Sequence, residues 1–298
     1  MRICYLLQGR DNPELALQYA LALSKQAVVV LTLNDEKWRN DAYYILVKNK
    51  NILLSTSTPF AQEGDLSSAR CWLYQMKDAL DKFDFDLCVN LTENILPLTT
   101  NQEWIDMLET SMTKNALSFE KDTNTDPQLS ATMKRYFFST NSLKFAGSEK
   151  VRQRARITAN LVYALGFRRK FKDVVYEGEP WFVFDRNTVM NYCEHISYLT
   201  ENFLLGWYPE RVIFQTMWKK YLHHKEIDNV CFVEPFNKDQ KAYFKRYEKL
   251  TDRKEMAAIL HAFEPSYEAP YEFVAEEIVE VDNRSYLQKT IDGYKKKK

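Results

Sequence analysis

The chain has 298 residues, 45% apolar and 14% aromatic, enough for one large domain or two small ones. Its 41 basic and 41 acidic side chains cancel, so bulk charge points to neither nucleic acid nor a membrane surface. Glycine is scarce at 7 residues, and no two of them lie within ten positions of each other; this excludes the clustered-glycine phosphate loops G-x-G-x-x-G and G-x-x-x-x-G-K-[ST].

In chain order, an alternating strand over 2–8 leads to Asn12 as helix cap and Pro13 at the first helical position. Leu15, Tyr19, Ala22 and Leu23 then repeat at helical spacing. Apolar runs at 28–31 and 52–54, a helix near 66–81 and a strand over 87–91 follow, and a helix near 101–110 comes after Pro97. This rhythm predicts an α/β fold, a mostly parallel sheet with helices on both faces. The ligand-binding loops of such a fold are those at strand ends, here 8–12, 34–37 and 92–97. Residues 111–160 read as polar and irregular. Apolar structure resumes at 181–184, then a helix near 188–204, a helix opened by Pro209 and a strand over 230–233. The segment 236–298 reads as a charged helical extension.

Charge is segregated along the chain. Lys134 to Lys172 holds 11 basic residues and one acid, Glu149, either a focus for an anionic ligand or a solvated helix face. The five cysteines are widely spaced with no C-x-x-C, which predicts a reducing compartment and neither a disulfide framework nor a zinc site. The start does not read as a signal peptide, and no apolar run reaches bilayer-spanning length, so the expected location is cytoplasmic. The Lys295–Lys298 run reads as a solubilising tail or as a weak, peripheral contact to acidic lipid.

Four ordered segments carry a family resemblance: Tyr5 to Glu14 (YLLQGRDNPE), Asp86 to Leu98 (DLCVNLTENILPL), Gly178 to Arg186 (GEPWFVFDR) and Pro209 to Thr216 (PERVIFQT). Together they resemble the core-2/I-branching glycosyltransferases, which include β-1,6-N-acetylglucosaminyltransferases and peptide xylosyltransferases. The resemblance covers about 1–235, with a nucleotide-binding half over about 1–110 and an acceptor half over about 160–235. It implies a GT-A-like fold and inverting, metal-independent transfer of a sugar from a UDP-sugar to a glycan or glycoconjugate acceptor. The implied setting is surface polysaccharide or glycoconjugate synthesis, with no other cofactor and no nucleic acid.

On that resemblance, Gln8, Arg10, Asn12 and Glu93 would contact the nucleotide-sugar, and Arg168, Arg169 and Lys170 would neutralise the leaving diphosphate. Trp181, Arg186 and Arg211 would face the sugar or acceptor; Trp181 equally suits a core, and Arg186 a surface ion pair. Asp84-Phe85-Asp86 spells an Asp-x-Asp, but Asp86 enters an apolar strand, so no metal is assigned to it.

Inverting transfer needs one base for the acceptor hydroxyl. The family places it as the glutamate of a Pro-Asp-Glu; here the matching positions hold Pro209, Glu210 and Arg211. Either Glu210 supplies the base from one residue earlier, or the base is lost and the chain binds a nucleotide or glycan without transfer. Ile95 in place of an acid, and Arg10-Asp11 in place of His-Lys, are further departures, and the family's carboxyl-terminal Arg-Lys-Phe has no closer counterpart than Arg253-Lys254.

Overall fold

The structure, a computed structural model, describes residues 1–46, 48–56, 61, 63–110, 113–137, 149–234 and 242–247. Ile3–Gly9 (β1) is buried along its whole length, as a central parallel strand must be. Asn12 ends it by accepting the Leu15 N–H at 3.1 Å, and Pro13 opens α1 (Pro13–Leu23). There follow β2 (Val28–Leu33), α2 (Glu36–Leu46), β3 (Ile52–Leu54), α3 (Leu66–Lys82, capped by Asp65) and β4 (Leu87–Thr92). Next come β5 (Ile95–Pro97), α4 (Asn101–Thr110), β6 (Ala116–Leu117), β7 (Lys121–Asp122), α5 (Pro127–Met133) and α6 (Glu149–Ala164). The remainder is β8 (Tyr176–Glu177), β9 (Phe182–Asp185), α7 (Arg186–Glu194), α8 (Ile196–Phe203), α9 (Ile213–Tyr221), β10 (Val233–Glu234) and β11 (Phe244–Arg246).

The central sheet has the order β3-β2-β1-β4-β9-β6. The first four strands are parallel, and β9 runs antiparallel to both β4 and β6. Tyr5 in β1 lies between Val29 and Val89, so its neighbours on both sides are β-branched. The chain steps outward from β1 to β3 and then crosses back to β4. Right-handed crossovers therefore put α1 and α2 on one face and α3 on the other, where α3 packs against α7 and α8.

Aromatic side chains fill the α3 side. Trp72 meets Trp181 and Phe182 edge-on at 5.9 and 6.4 Å, and Phe184 stacks on Phe182 at 4.4 Å and Tyr192 at 4.9 Å. No helix among the described residues is long and apolar enough to cross a membrane.

Several expectations need correction. Residues 111–160 contain β6, β7, α5 and most of α6 rather than irregular chain. The helix expected over 188–204 is two, separated at His195 (φ −107°, ψ 22°). Pro209 opens only a 3-10 turn, Pro209–Arg211; Val212 breaks it (φ −123°) before α9 begins. The strand expected over 230–233 narrows to Val233–Glu234.

Most of the expected 236–298 extension lies outside the described residues, as does the Lys295–Lys298 run. Its described part is strand where helix was expected: Phe244–Arg246 pairs antiparallel with β5 and parallel with β10. Phe244 is buried against Trp104 at 5.0 Å, so the sheet structure of the first domain extends past the boundary expected at 235.

Gly178 links β8 to the strand that follows. Its N–H donates to the Arg211 carbonyl at 2.9 Å, and a Cβ there would lie 1.9 Å from the Ser118 carbonyl oxygen. Gly178→Ala is expected to destabilise the fold by about 3 kcal/mol through forced backbone displacement. Gly166→Ala meets open space and opposes only a left-handed backbone (φ +89°), so it should cost about 1 kcal/mol. Urea denaturation of the two variants measures both.

Candidate functional site

Strand order reverses between β1 and β4, and the loops leaving their carboxyl ends diverge into the crevice where open α/β sheets take ligands. Glu93, just beyond β4, turns back into that crevice. Its Oε1 accepts three consecutive backbone N–H groups, from Arg10 (3.0 Å), Asp11 (2.6 Å) and Asn12 (3.2 Å). Converging amides of this kind make an anion site, and here the anion is the chain's own carboxylate. Burial pushes the Glu93 carboxyl above its ordinary range, against the pull of those amides and of Arg10.

Arg10 is fixed by the same crevice. Its Nε and Nη2 donate to Gln8 Oε1 at 3.0 and 2.8 Å, Nη2 also donates to Ser68 Oγ at 2.7 Å, and the guanidinium lies over the Trp72 ring at 5.4 Å. Gln8 is fully buried and donates in turn to the Ser68 carbonyl at 3.0 Å. The structure thus brings Gln8, Arg10, Asn12 and Glu93 together. They bond first to one another, however, and the Asn12 side chain is committed to capping α1.

The 3-10 turn carrying Glu210 and Arg211 borders this crevice. It is entered through Leu205 (φ 60°) and Tyr208 (φ 44°), the two non-glycine residues with left-handed backbone among those described. Such conformations cost on the order of 1 kcal/mol each and gather at functional sites. Glu210 is 2% exposed; its Oε1 accepts the Gly64 N–H, and Oε2 meets no hydrogen-bond partner among the described residues. Burial raises its carboxyl to about 7, while the Gly64 amide and the Arg10 charge pull the other way.

Arg211 has a different environment. It pairs with Glu179 at 3.0 Å, Glu120 at 3.2 Å and Glu177 at 3.5 Å, and it lines a cavity of about 610 Å³. Tyr208 and Val212 share that wall, and α5 and α6 supply others. The basic segment contributes Arg135 and Arg156 to the lining.

The other candidates do not assemble into one site. Arg168 is exposed over the Tyr163 ring at 4.7 Å, and Lys170 is exposed. Arg169 is buried and donates to the Asn202 carbonyl at 2.7 Å; burial lowers its guanidinium to about 10. None of the three lines the cavity or touches the Gln8–Arg10–Glu93 network. Trp181 is packed beneath Trp72 in the core. Arg186 donates to the carbonyls of Phe83 (2.9 Å) and Leu80 (3.4 Å), capping the end of α3. Asp86 accepts the Arg2 N–H at 2.7 Å and so secures the start of β1. Among the described residues, no three His, Cys, Asp or Glu side chains are grouped to hold a metal ion.

Sequence reasoning missed Gly64, Ser68 and Trp72, which reach the crevice from α3 and the loop before it, and the cavity residues Arg135 and Arg156. Of these, only the excess of positive charge over 134–172 was read from the sequence. No known family model matches the chain, and no curated protein matches its sequence.

The state of Glu210 fixes a pH signature. Its folded value lies above its ordinary value of 4.5, so the native state holds a proton that the unfolded chain has released. That contribution is fully present below pH ~4.5 and is lost as pH rises through about 7. Glu210→Gln is therefore expected to match the parent near pH 4.5 and exceed its stability by about 3 kcal/mol at pH 8. Urea midpoints across that range test this, and a pH-independent difference would refute it.

Proposed function

We propose that the chain is an inverting glycosyltransferase of the core-2/I-branching type. It moves a sugar, N-acetylglucosamine or xylose-like, from a UDP-sugar to an acceptor hydroxyl, with Glu210 as the base. The observation that carries this reading is the carboxyl of Glu210, held near neutrality beside Arg10 at the reversal point of the sheet. A base of that strength takes a hydroxyl proton as the oxygen attacks the anomeric carbon and later releases it near neutral pH.

Convergence of the four resembling segments supports the same reading. β1, β4 and β9 are adjacent strands; Asn90 donates to the Pro180 carbonyl at 2.8 Å, and Gln215 donates to the Glu179 carbonyl at 2.7 Å. Segments spread over some two hundred positions thus form one unit. The mostly parallel sheet is compatible with a Rossmann or GT-A-like architecture.

In this reading transfer is metal-independent, and Arg10 is the cation in place at the crevice to meet a leaving diphosphate. We assign the reaction to the cytoplasm, in surface polysaccharide or glycoconjugate synthesis.

A second reading is a relative that binds without transfer. It is favoured by Arg211, which stands at the aligned position of the family's base and is locked by three glutamates. The experiment is UDP release from a panel of UDP-sugars in EDTA. The transferase is expected to turn over at least one donor, and Glu210→Gln to lower kcat by about 10²–10⁴-fold. Turnover of none, together with a rise in Tm on adding UDP, selects the binding-only relative.

A further inference from the structure

We propose that the 610 Å³ cavity binds an acidic saccharide, a sugar bearing a carboxylate, sulfate or phosphate, gripped by Arg135 and Arg156. Four cations line the cavity, and they divide into two kinds. Lys121 and Arg211 are neutralised by Asp126, Glu177, Glu120 and Glu179. Arg135 and Arg156 meet no carboxylate among the described residues. An aromatic ring supports each instead: Tyr163 under Arg135 at 5.3 Å and Trp207 under Arg156 at 4.8 Å. A guanidinium held by its face keeps its in-plane N–H fork for a planar anion, and Arg135 Nε is already buried without an acceptor.

The rest of the lining suits a sugar. Gln128, Thr132 and Asn160 face the cavity, and their side chains make no hydrogen bond among the described residues, leaving donors and acceptors for hydroxyls. Leu129, Met133 and Phe137 supply apolar surface for ring C–H groups. The volume falls within the roughly 300–1,000 Å³ of small-ligand sites. Glu177 also faces the cavity and would repel the second charge of a diphosphate while accepting from a hydroxyl, which favours a singly charged sugar over a nucleotide tail. As an acceptor site the cavity rests on the transferase reading; as a binding site it does not.

Calorimetric titration tests it without any transfer step. The ligands are a glucuronate-containing disaccharide, its carboxyl-reduced neutral counterpart, and UDP. The uronate is expected to bind at least about tenfold more tightly than the neutral sugar, the worth of one charge-assisted contact. The Arg135→Gln/Arg156→Gln pair should abolish that preference at unchanged Tm. If the pair misfolds, Arg156→Lys, which keeps the charge and loses the fork, should still weaken uronate binding. Equal affinity for both sugars, no sugar binding, or a preference that survives in the variants overturns the proposal. Loss of UDP binding alone would give the cavity to the donor. Uronate binding without turnover of any donor sinks only the transferase.

A separate observation carries a second inference: the outer face of α6 docks on an anionic lipid surface. The helix packs inward through Ala155 and Ala159, which are buried. Four residues apart, Ile157, Leu161 and Leu165 form an outward stripe 61%, 62% and 75% exposed, continued by Phe167 at 64%. Arg154, Arg168, Lys170 and Lys172 flank it and are exposed. Apolar side chains bordered by cations, with Glu149 the one acid from 134 to 172, complement a lipid interface bearing negative headgroups.

Vesicle co-sedimentation tests this. Binding is expected to equimolar phosphatidylserine and phosphatidylcholine and not to phosphatidylcholine alone, and it should be lost in Leu161→Ser/Leu165→Ser. Vesicle binding that persists in the variant assigns attachment elsewhere, for example to Lys295–Lys298. No binding, or a dimer in sedimentation velocity that the variant splits, also overturns it, the dimer making the stripe a contact between copies.

Discussion

One carboxylate organises the end of the sheet. Glu93 holds three successive amides of the loop after β1, so the two strands flanking the reversal point are tied by side chain as well as by ladder. A nest of amides left without an anion would leave three part-buried donors turned to water instead of to a partner. Filling it from β4 fixes the backbone of Arg10, and that in turn sets its guanidinium against Gln8, Ser68 and Trp72. Gly9 opens that loop where a Cβ would lie 2.5 Å from the Ala16 Cβ, so the turn from β1 into α1 is packed too closely for a side chain.

The adjacent residues Glu210 and Arg211 belong to two different places. The 3-10 turn sends one carboxyl inward to Gly64 and sends the next side chain into a cluster of glutamates at the cavity. The left-handed backbone at Tyr208 is held from both sides. Its carbonyl accepts the Arg211 N–H at 3.0 Å, and its ring lies where a side chain on Gly64 would come within 3.3 Å. Crevice and cavity therefore share a wall one turn thick, and a shift in that turn would be felt in both.

What the sequence made legible is what burial writes most plainly. The apolar runs of β2 and β4 and the Asn12-Pro13 start of α1 need no tertiary information, and the strand over 2–8 was found although it was read as alternating and β1 is buried along its whole length. By contrast, α2 was illegible because Glu36 to Asp41 is almost wholly polar, although Asp35 accepts the Trp38 N–H at its start. The outer face of α6 carries both its charges and an apolar stripe, which blurs the amphipathic pattern that a packed helix displays. Phe244 is one buried residue between exposed charges, too short a signal for a strand. At the site, Gln8, Arg10, Asn12 and Glu93 were legible as a group because strand ends mark ligand loops. That Glu93 would satisfy the loop internally depends on a pairing across eighty residues, which no local pattern encodes. The basic segment was legible as charge, but which of its cations line the cavity is decided by how α5, α6 and the chain after α5 pack, and that puts Arg135 and Arg156 in the lining and leaves Arg168, Arg169 and Lys170 out of it.

Partners are unevenly shared at the turn. Three glutamates crowd the partly exposed Arg211, where solvent already screens its charge, while the buried Glu210 accepts the Gly64 amide through Oε1 and its Oε2 has no partner among the described residues. Arg10 acts on Glu210 through its field, while its Nε and Nη2 donate to Gln8 and Ser68. A cation moved inward would pull Glu210 toward its ionised form, at the cost of desolvating a second charge. A glutamine would avoid ionisation and keep the bond from Gly64. The proposed transferase would use that acid, raised to about 7 and with Oε2 unpartnered among the described residues, as the group that exchanges a proton.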